Sequence, residues 1–182
     1  IDFSKSPPAY SYLYNDMNFF ETNASISDSA GILQFYTNGI YVSNKNNSPM
    51  PNGMGLNPGQ PATDFHDTGY ILDQGAIIIP FPDEANKFYL FHADFKYSTS
   101  TLSAHSLHLY FTVVDMSLDN GRGDVVQKNQ ILMTDTLSLG KLTCVRHGNG
   151  RDWWLLMHEF SSKSYYRFLI TPDGIQSLEK GS

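Results

Sequence analysis

The stretch KLTCVRHGNGRDWWLLMHEF, residues 141–160, gathers Cys144, His147, Arg151, Asp152, His158 and Glu159 in twenty positions. A zinc site needs at least three converging donors, and His147, His158 and Glu159 are the only local candidates. On a strand, alternate side chains share a face. Trp154, Leu156 and His158 therefore point one way, and Trp153, Leu155, Met157 and Glu159 the other. Cys144 falls on a strand expected to be buried. The string HGNGRD is rejected as a phosphate cradle, because such a loop opens a helix and here Trp-Trp-Leu-Leu follows. The favoured reading is a strand whose histidine caps a loop. His147, Arg151, Asp152, His158 and Glu159 stay as candidate ligand contacts.

A second cluster, DMSLDNGRGD, sets Asp115, Asp119, Asn120 and Asp124 around two glycines. Oxygen-rich loops can hold Ca²⁺, but this spacing is not that of an EF-hand, and Asp, Asn and Gly are also what a tight turn prefers. The weak calcium candidate is Asp115, Asp119 and Asp124; no other metal and no cofactor is indicated. Arg122-Gly123-Asp124 spells an adhesion tripeptide, a match too short to weigh. No G-x-S-x-G elbow is present, and Cys144 has no obvious His and Asn partners. Glycosidase carboxylates are defined by their separation in space and stay open.

The elements that must position these residues follow from composition and repeats. With 182 residues, 41% apolar and 14% aromatic, the chain can bury one core, and a single region over 1–182 is expected. Tyr, Phe, Thr, Val and Ile with fourteen Gly and nine Pro indicate β-structure. A net charge of −6 opposes nucleic-acid binding, and no apolar run is long enough for a membrane span.

Three stretches align, giving units of approximately 21–60, 70–135 and 140–182. Each opens with a short apolar strand (24–27, 76–79, 142–145) and a polar turn. An aromatic strand (33–36, 88–91, 153–157) and a third strand (40–43, 107–114, 165–170) follow. Asn38, Asp94 and Glu159 fall in one column just past the second strand; Asn38 and Asp94 join Glu159 among the candidate ligand contacts, for a column that could converge on a channel mouth or simply serve the strand ends. Repetition of this kind implies an all-β fold of β-propeller-type antiparallel units, with a β-sandwich as the alternative. The third unit ends without a credible fourth strand, so the ring is expected to be incomplete. Further blades, a partner subunit or the Tyr-rich segment 9–20 would then complete it. The Pro/Gly/Asn-rich stretch 46–69 reads as the exposed loop best suited to function.

The segments SISDSAGILQFYTNGIYVSNKN, MPNGMGLNPG, QGAIIIPFP, YFTVVDMSLDNGRGDVVQKN and KLTCVRHGNGRDWWLLMHEF resemble a family of large secreted proteins of gliding Bacteroidetes. Those proteins carry an N-terminal propeller-like region, adhesion-type repeats and a type IX secretion sorting tail. The family more often reads FYTDG where this chain has Asn38, so an acid has become an amide. The resemblance implies a secreted or cell-surface setting and no defined chemistry. Three functions stand open: a non-catalytic module binding a protein or a glycan, a polysaccharide hydrolase with carboxylates at a channel mouth, and a structural spacer.

Overall fold

The computed structural model describes residues 5–10, 12, 14–99 and 102–181. The chain is all-β, with twelve strands, one five-residue helix and one 3₁₀ turn among the described residues. β1 (Ala24–Ser27), β2 (Leu33–Thr37), β3 (Tyr41–Asn44) and β4 (Pro49–Met54) form a four-stranded antiparallel meander. Helix α1 (Gln60–Asp64) follows. β5 (Ala76–Pro80), β6 (Lys87–Ala93), β7 (Lys96–Ser98), β8 (Ser103–Asp115), β9 (Asp124–Arg146), β10 (Trp153–Glu159), β11 (Tyr165–Thr171) and β12 (Gly174–Gly181) build the second sheet. Its order is β12-β11-β10-β9-β8-β6-β5, with β7 paired to β8, and neither sheet closes on itself.

The long strand β9 explains the larger sheet. Its first half pairs with β8 as far as Leu137↔Ser106, and its second half pairs with β10 from Leu137↔Glu159 onward. Leu137, fully buried, is the hand-over point. Gly140 follows at φ +64 and passes so close to the Asp73 carbonyl that a Cβ would lie 3.2 Å from it. Two four-stranded meanders, β5-β6-β8-β9 and β9-β10-β11-β12, therefore share one strand. The expected missing fourth strand of the third unit is present: β12 pairs with β11 from Thr171↔Gly174 to Tyr165↔Gly181. The earlier units gain theirs from β4 and the first half of β9. Residues 49–54, expected in an exposed loop, are a strand with Met50 buried beneath it.

The units stack face on face. Phe88 and Leu90 of β6 pack against Phe35, Val42 and Met50 of the first meander. Tyr89 and Phe91, on the opposite face, join Leu155, Met157, Phe168 and Ile170 of the third. β6 is buried on both faces, which is why it reads as an unbroken apolar run instead of an alternating one. Equivalent strands lie together: β1 beside β5, β5 beside β9, and β4 beside β9. Lys128 Nζ, on the first half of β9, donates to the carbonyls of Asn52 and Met54 across the last of these seams.

The described residues of the Tyr-rich segment 9–20 supply no strand to either sheet, and the first strand of the four-stranded meander starts at Ala24. Ser11 and Leu13 of that segment lie outside the described residues, as do Ser100 and Thr101 between β7 and β8. Asn47 Nδ2, in the turn before β4, donates to the Tyr14 carbonyl, Phe19 packs on Tyr36 at the outer face of the first meander, and Asn18 Nδ2 donates to the Asp67 carbonyl beyond α1.

Candidate functional site

Asn38, Asp94 and Glu159 occupy equivalent places at the ends of β2, β6 and β10. The first two do the same work. Asn38 Oδ1 accepts the N–H groups of Ile40 and Tyr41 at 3.0 and 3.3 Å. Asp94 Oδ1 accepts those of Leu107 and His108 at 2.7 and 2.9 Å. Asn38 thus seats the start of β3, and Asp94 the part of β8 just before it begins to pair with β6 at Leu109↔Ala93, satisfying donors that would otherwise be left unpaired. The Asp94 carboxylate also binds His108 Nδ1 at 2.8 Å and Lys96 Nζ at 3.6 Å. The amide at 38 has a use that an acid could not supply: Nδ2 donates to the Asn18 carbonyl at 2.9 Å and ties down the N-terminal segment. Glu159 departs from the pattern. It pairs with Lys180 of β12, and that hydrogen bond holds its carboxyl below the usual range. Among the described residues the three side chains have no hydrogen-bond partner in common.

The 141–160 stretch is a hairpin. Asn149 Oδ1 accepts the N–H groups of Arg151 and Asp152, and Asn149 Nδ2 donates to Asp152. Arg151 closes on Asp152 at 2.7 Å, and this bond lowers the Asp152 carboxyl pKa. The His147 ring lies 5.4 Å from Trp154. His158 Nδ1 meets Ser138 Oγ at 2.8 Å, and its ring stands edge-on to Tyr165. Hence His158 is a half-buried cross-strand partner and does not cap a loop. Burial pushes the Cys144 thiol up to about 12, which leaves it protonated and a poor nucleophile.

Each calcium candidate is bound within the protein. Asp115 Oδ1 accepts from Ser117, Asp119 pairs with Arg122 at 2.7 Å, and Asp124 Oδ1 accepts from Asn52 Nδ2. The Arg and Asp of the adhesion tripeptide are thus both paired internally. Among the described residues no three His, Cys, Asp or Glu side chains are placed to hold a metal ion.

Two sites escaped the sequence reading. A buried polar network joins the first two units: Asn57 Nδ2 donates to the Gly39 carbonyl, Asn57 Oδ1 meets His92 Nδ1 at 2.7 Å, and His92 Nε2 meets Thr112 Oγ1 at 2.9 Å. The second is a cavity of about 410 Å³ on the outer face of the first meander. Asn15 and Phe19 of the N-terminal segment, Asn23, Ser25 of β1, Tyr36 of β2 and Asn47 line it. Its walls come from the N-terminal segment, two repeat strands and the turn before β4, which only the fold brings together. Another hollow, of about 600 Å³, lies where β5 meets the second half of β9 and includes Glu21 and Asp73 in its lining.

No helix among the described residues is long and apolar enough to cross a membrane. Comparison with protein-family models, curated proteins and solved structures finds no match to this chain.

Proposed function

We propose that the chain is a non-catalytic interaction module, an arc of three propeller-type β units that presents its surfaces to a protein or glycan partner. One observation carries the reading. β6 and β10 are both unbroken apolar runs, yet only β6 has both faces covered. On β10, Leu155 and Met157 are buried, whereas Trp154 and Leu156 stay half-exposed on the open side. Trp154 stands in register between Leu169 and Val145, the latter 55% exposed, giving an apolar row across the sheet. Soluble proteins cover such faces, and the neighbouring seams indicate with what: another four-stranded unit of the same construction, from a longer chain or a partner subunit. The stacking of first strand on first and fourth on fourth supports the propeller-type arrangement over a two-sheet sandwich. The named acids support a structural role, since each secures backbone or a neighbouring side chain. An exported, surface-associated setting rests on the resemblance alone.

Light scattering tests this reading. The isolated chain should self-associate with rising concentration, and Val145→Lys should return it to a monomer with an unchanged melt. A wild-type monomer with a cooperative melt would count against an open face. Release of reducing ends from polysaccharide, lost in Glu21→Gln or Asp73→Asn, would replace the module with a hydrolase.

A further inference from the structure

We propose that the cavity between the N-terminal segment and the outer face of the first meander is a binding site for a neutral carbohydrate. This rests on the binding-module reading and names its ligand class.

The chemistry of the walls selects the ligand. Phe19 is 46% exposed, and its ring lies 5.9 Å from that of Tyr36, so the cavity has an aromatic wall open to solvent. Aromatic faces with a few placed polar groups suit ligands that are apolar on one side and polar at the edges, as a pyranose ring is. Around that wall stand three carboxamides and a hydroxyl: Asn15, Asn23, Asn47 and Ser25. Among the described residues no Asp, Glu, Lys, Arg or His lines the cavity, so none of them compensates a charged ligand there.

The polar groups divide into holders and free groups. Asn47 is a holder: its Oδ1 accepts from Tyr36 at 2.9 Å and its Nδ2 donates to the Tyr14 carbonyl at 3.1 Å. That pair pins the Tyr36 ring and leaves its hydroxyl oxygen able to accept one more bond. Among the described residues, Asn15 and Ser25 make no side-chain hydrogen bond, and Asn23 uses only Nδ2, at 3.3 Å to the Glu21 carbonyl. Donors and acceptors thus remain on offer beside a fixed aromatic wall. A volume of about 410 Å³ falls within the usual range for small-ligand sites.

Affinity electrophoresis in gels containing laminarin, galactomannan or hydroxyethyl cellulose, with alginate as the acidic comparison, tests the site. Retardation is expected in at least one neutral polysaccharide and not in alginate. Phe19→Ala should weaken it by about tenfold, equivalent to about 1.4 kcal/mol. Asn23→Ala should weaken it too, whereas Tyr97→Ala, an exposed aromatic elsewhere, should leave it intact. Migration unaffected by any neutral polysaccharide would overturn the assignment, as would retardation that survives both cavity variants. A wild-type dimer made monomeric by Phe19→Ala would also overturn it, making the patch a contact between copies. Retardation removed by Val145→Lys instead would refute this site while keeping the module, and shortened polysaccharide would refute the module itself.

Discussion

Acid should loosen this fold through one residue, His92. Its side chain is fully buried, and Asn57 fixes its tautomer. Because Asn57 Nδ2 is spent on the Gly39 carbonyl, Asn57 offers His92 only an acceptor, so Nδ1 carries the hydrogen. Nε2 then accepts from the Thr112 hydroxyl, whose oxygen in turn accepts the Asn129 N–H. A second proton on the ring would turn that acceptor into a donor aimed at a hydroxyl that is already placed, and would bury a charge. Burial lowers the His92 pKa from 6.5 to about 3, with Asp94 opposing weakly. The unfolded chain therefore binds a proton below pH 6.5 that the folded chain refuses until about 3. Stability from this group is complete above that window and falls as pH drops into it, by about 1.4 kcal/mol per unit once well inside. Between pH 7.5 and 5.0 the loss is about 2 kcal/mol, a range that lies above most carboxylate titration. Urea unfolding at the two pH values should show this loss in the wild type. His92→Asn keeps a donor for Asn57 and should cost about 1–3 kcal/mol at pH 7.5 by leaving Thr112 short of a partner. Its own loss on acidification should be smaller than the wild type's by about 2 kcal/mol. Equal losses in the two proteins would refute the argument.

Trp153→Ala should destabilise by toward about 3 kcal/mol, because the ring packs on the buried cluster under the Arg146 guanidinium, and His158→Ala by about 1. Thermal melts compare them, and equal losses would mean that His158 carries more than its Ser138 bond. Asp94→Ala should cost about 3 kcal/mol or more by stranding the Leu107 and His108 N–H groups and His108 itself. Asp94→Asn, which keeps an acceptor oxygen, should cost distinctly less in the same melts. Calcium should leave the melting point unchanged, since Asp115, Asp119 and Asp124 are already paired; a real site at a hundredfold excess over Kd would add about 2.7 kcal/mol. A rise reversed by chelator would contradict this.

Local pattern carried far in this protein. The strands at 24–27, 33–37, 76–80, 87–93, 153–159 and 165–171 lie where aromatic and β-branched runs meet turn residues, because both preferences act over a few positions. The placement of Asn38, Asp94 and Glu159 at one point of each unit is local in the same way. The fourth strands were not legible. Pro49, Asn52 and Gly53 of β4 have loop chemistry and form a strand only because Met50 is held in the core between the first two units. β9 runs unbroken through Leu137 because two meanders claim its two halves, and β12 exists because β11 offers it an edge. The roles of polar residues were less legible still. A histidine is a ligand, a switch or a brace according to what faces it. For His158 that is Ser138, twenty residues away, and for His92 it is Asn57, thirty-five away. Turn and strand preferences are properties of neighbours along the chain, and the sequence displays them. Which polar groups are satisfied, and which face of a sheet stays open, depends on distant segments meeting, so only the folded structure decides it.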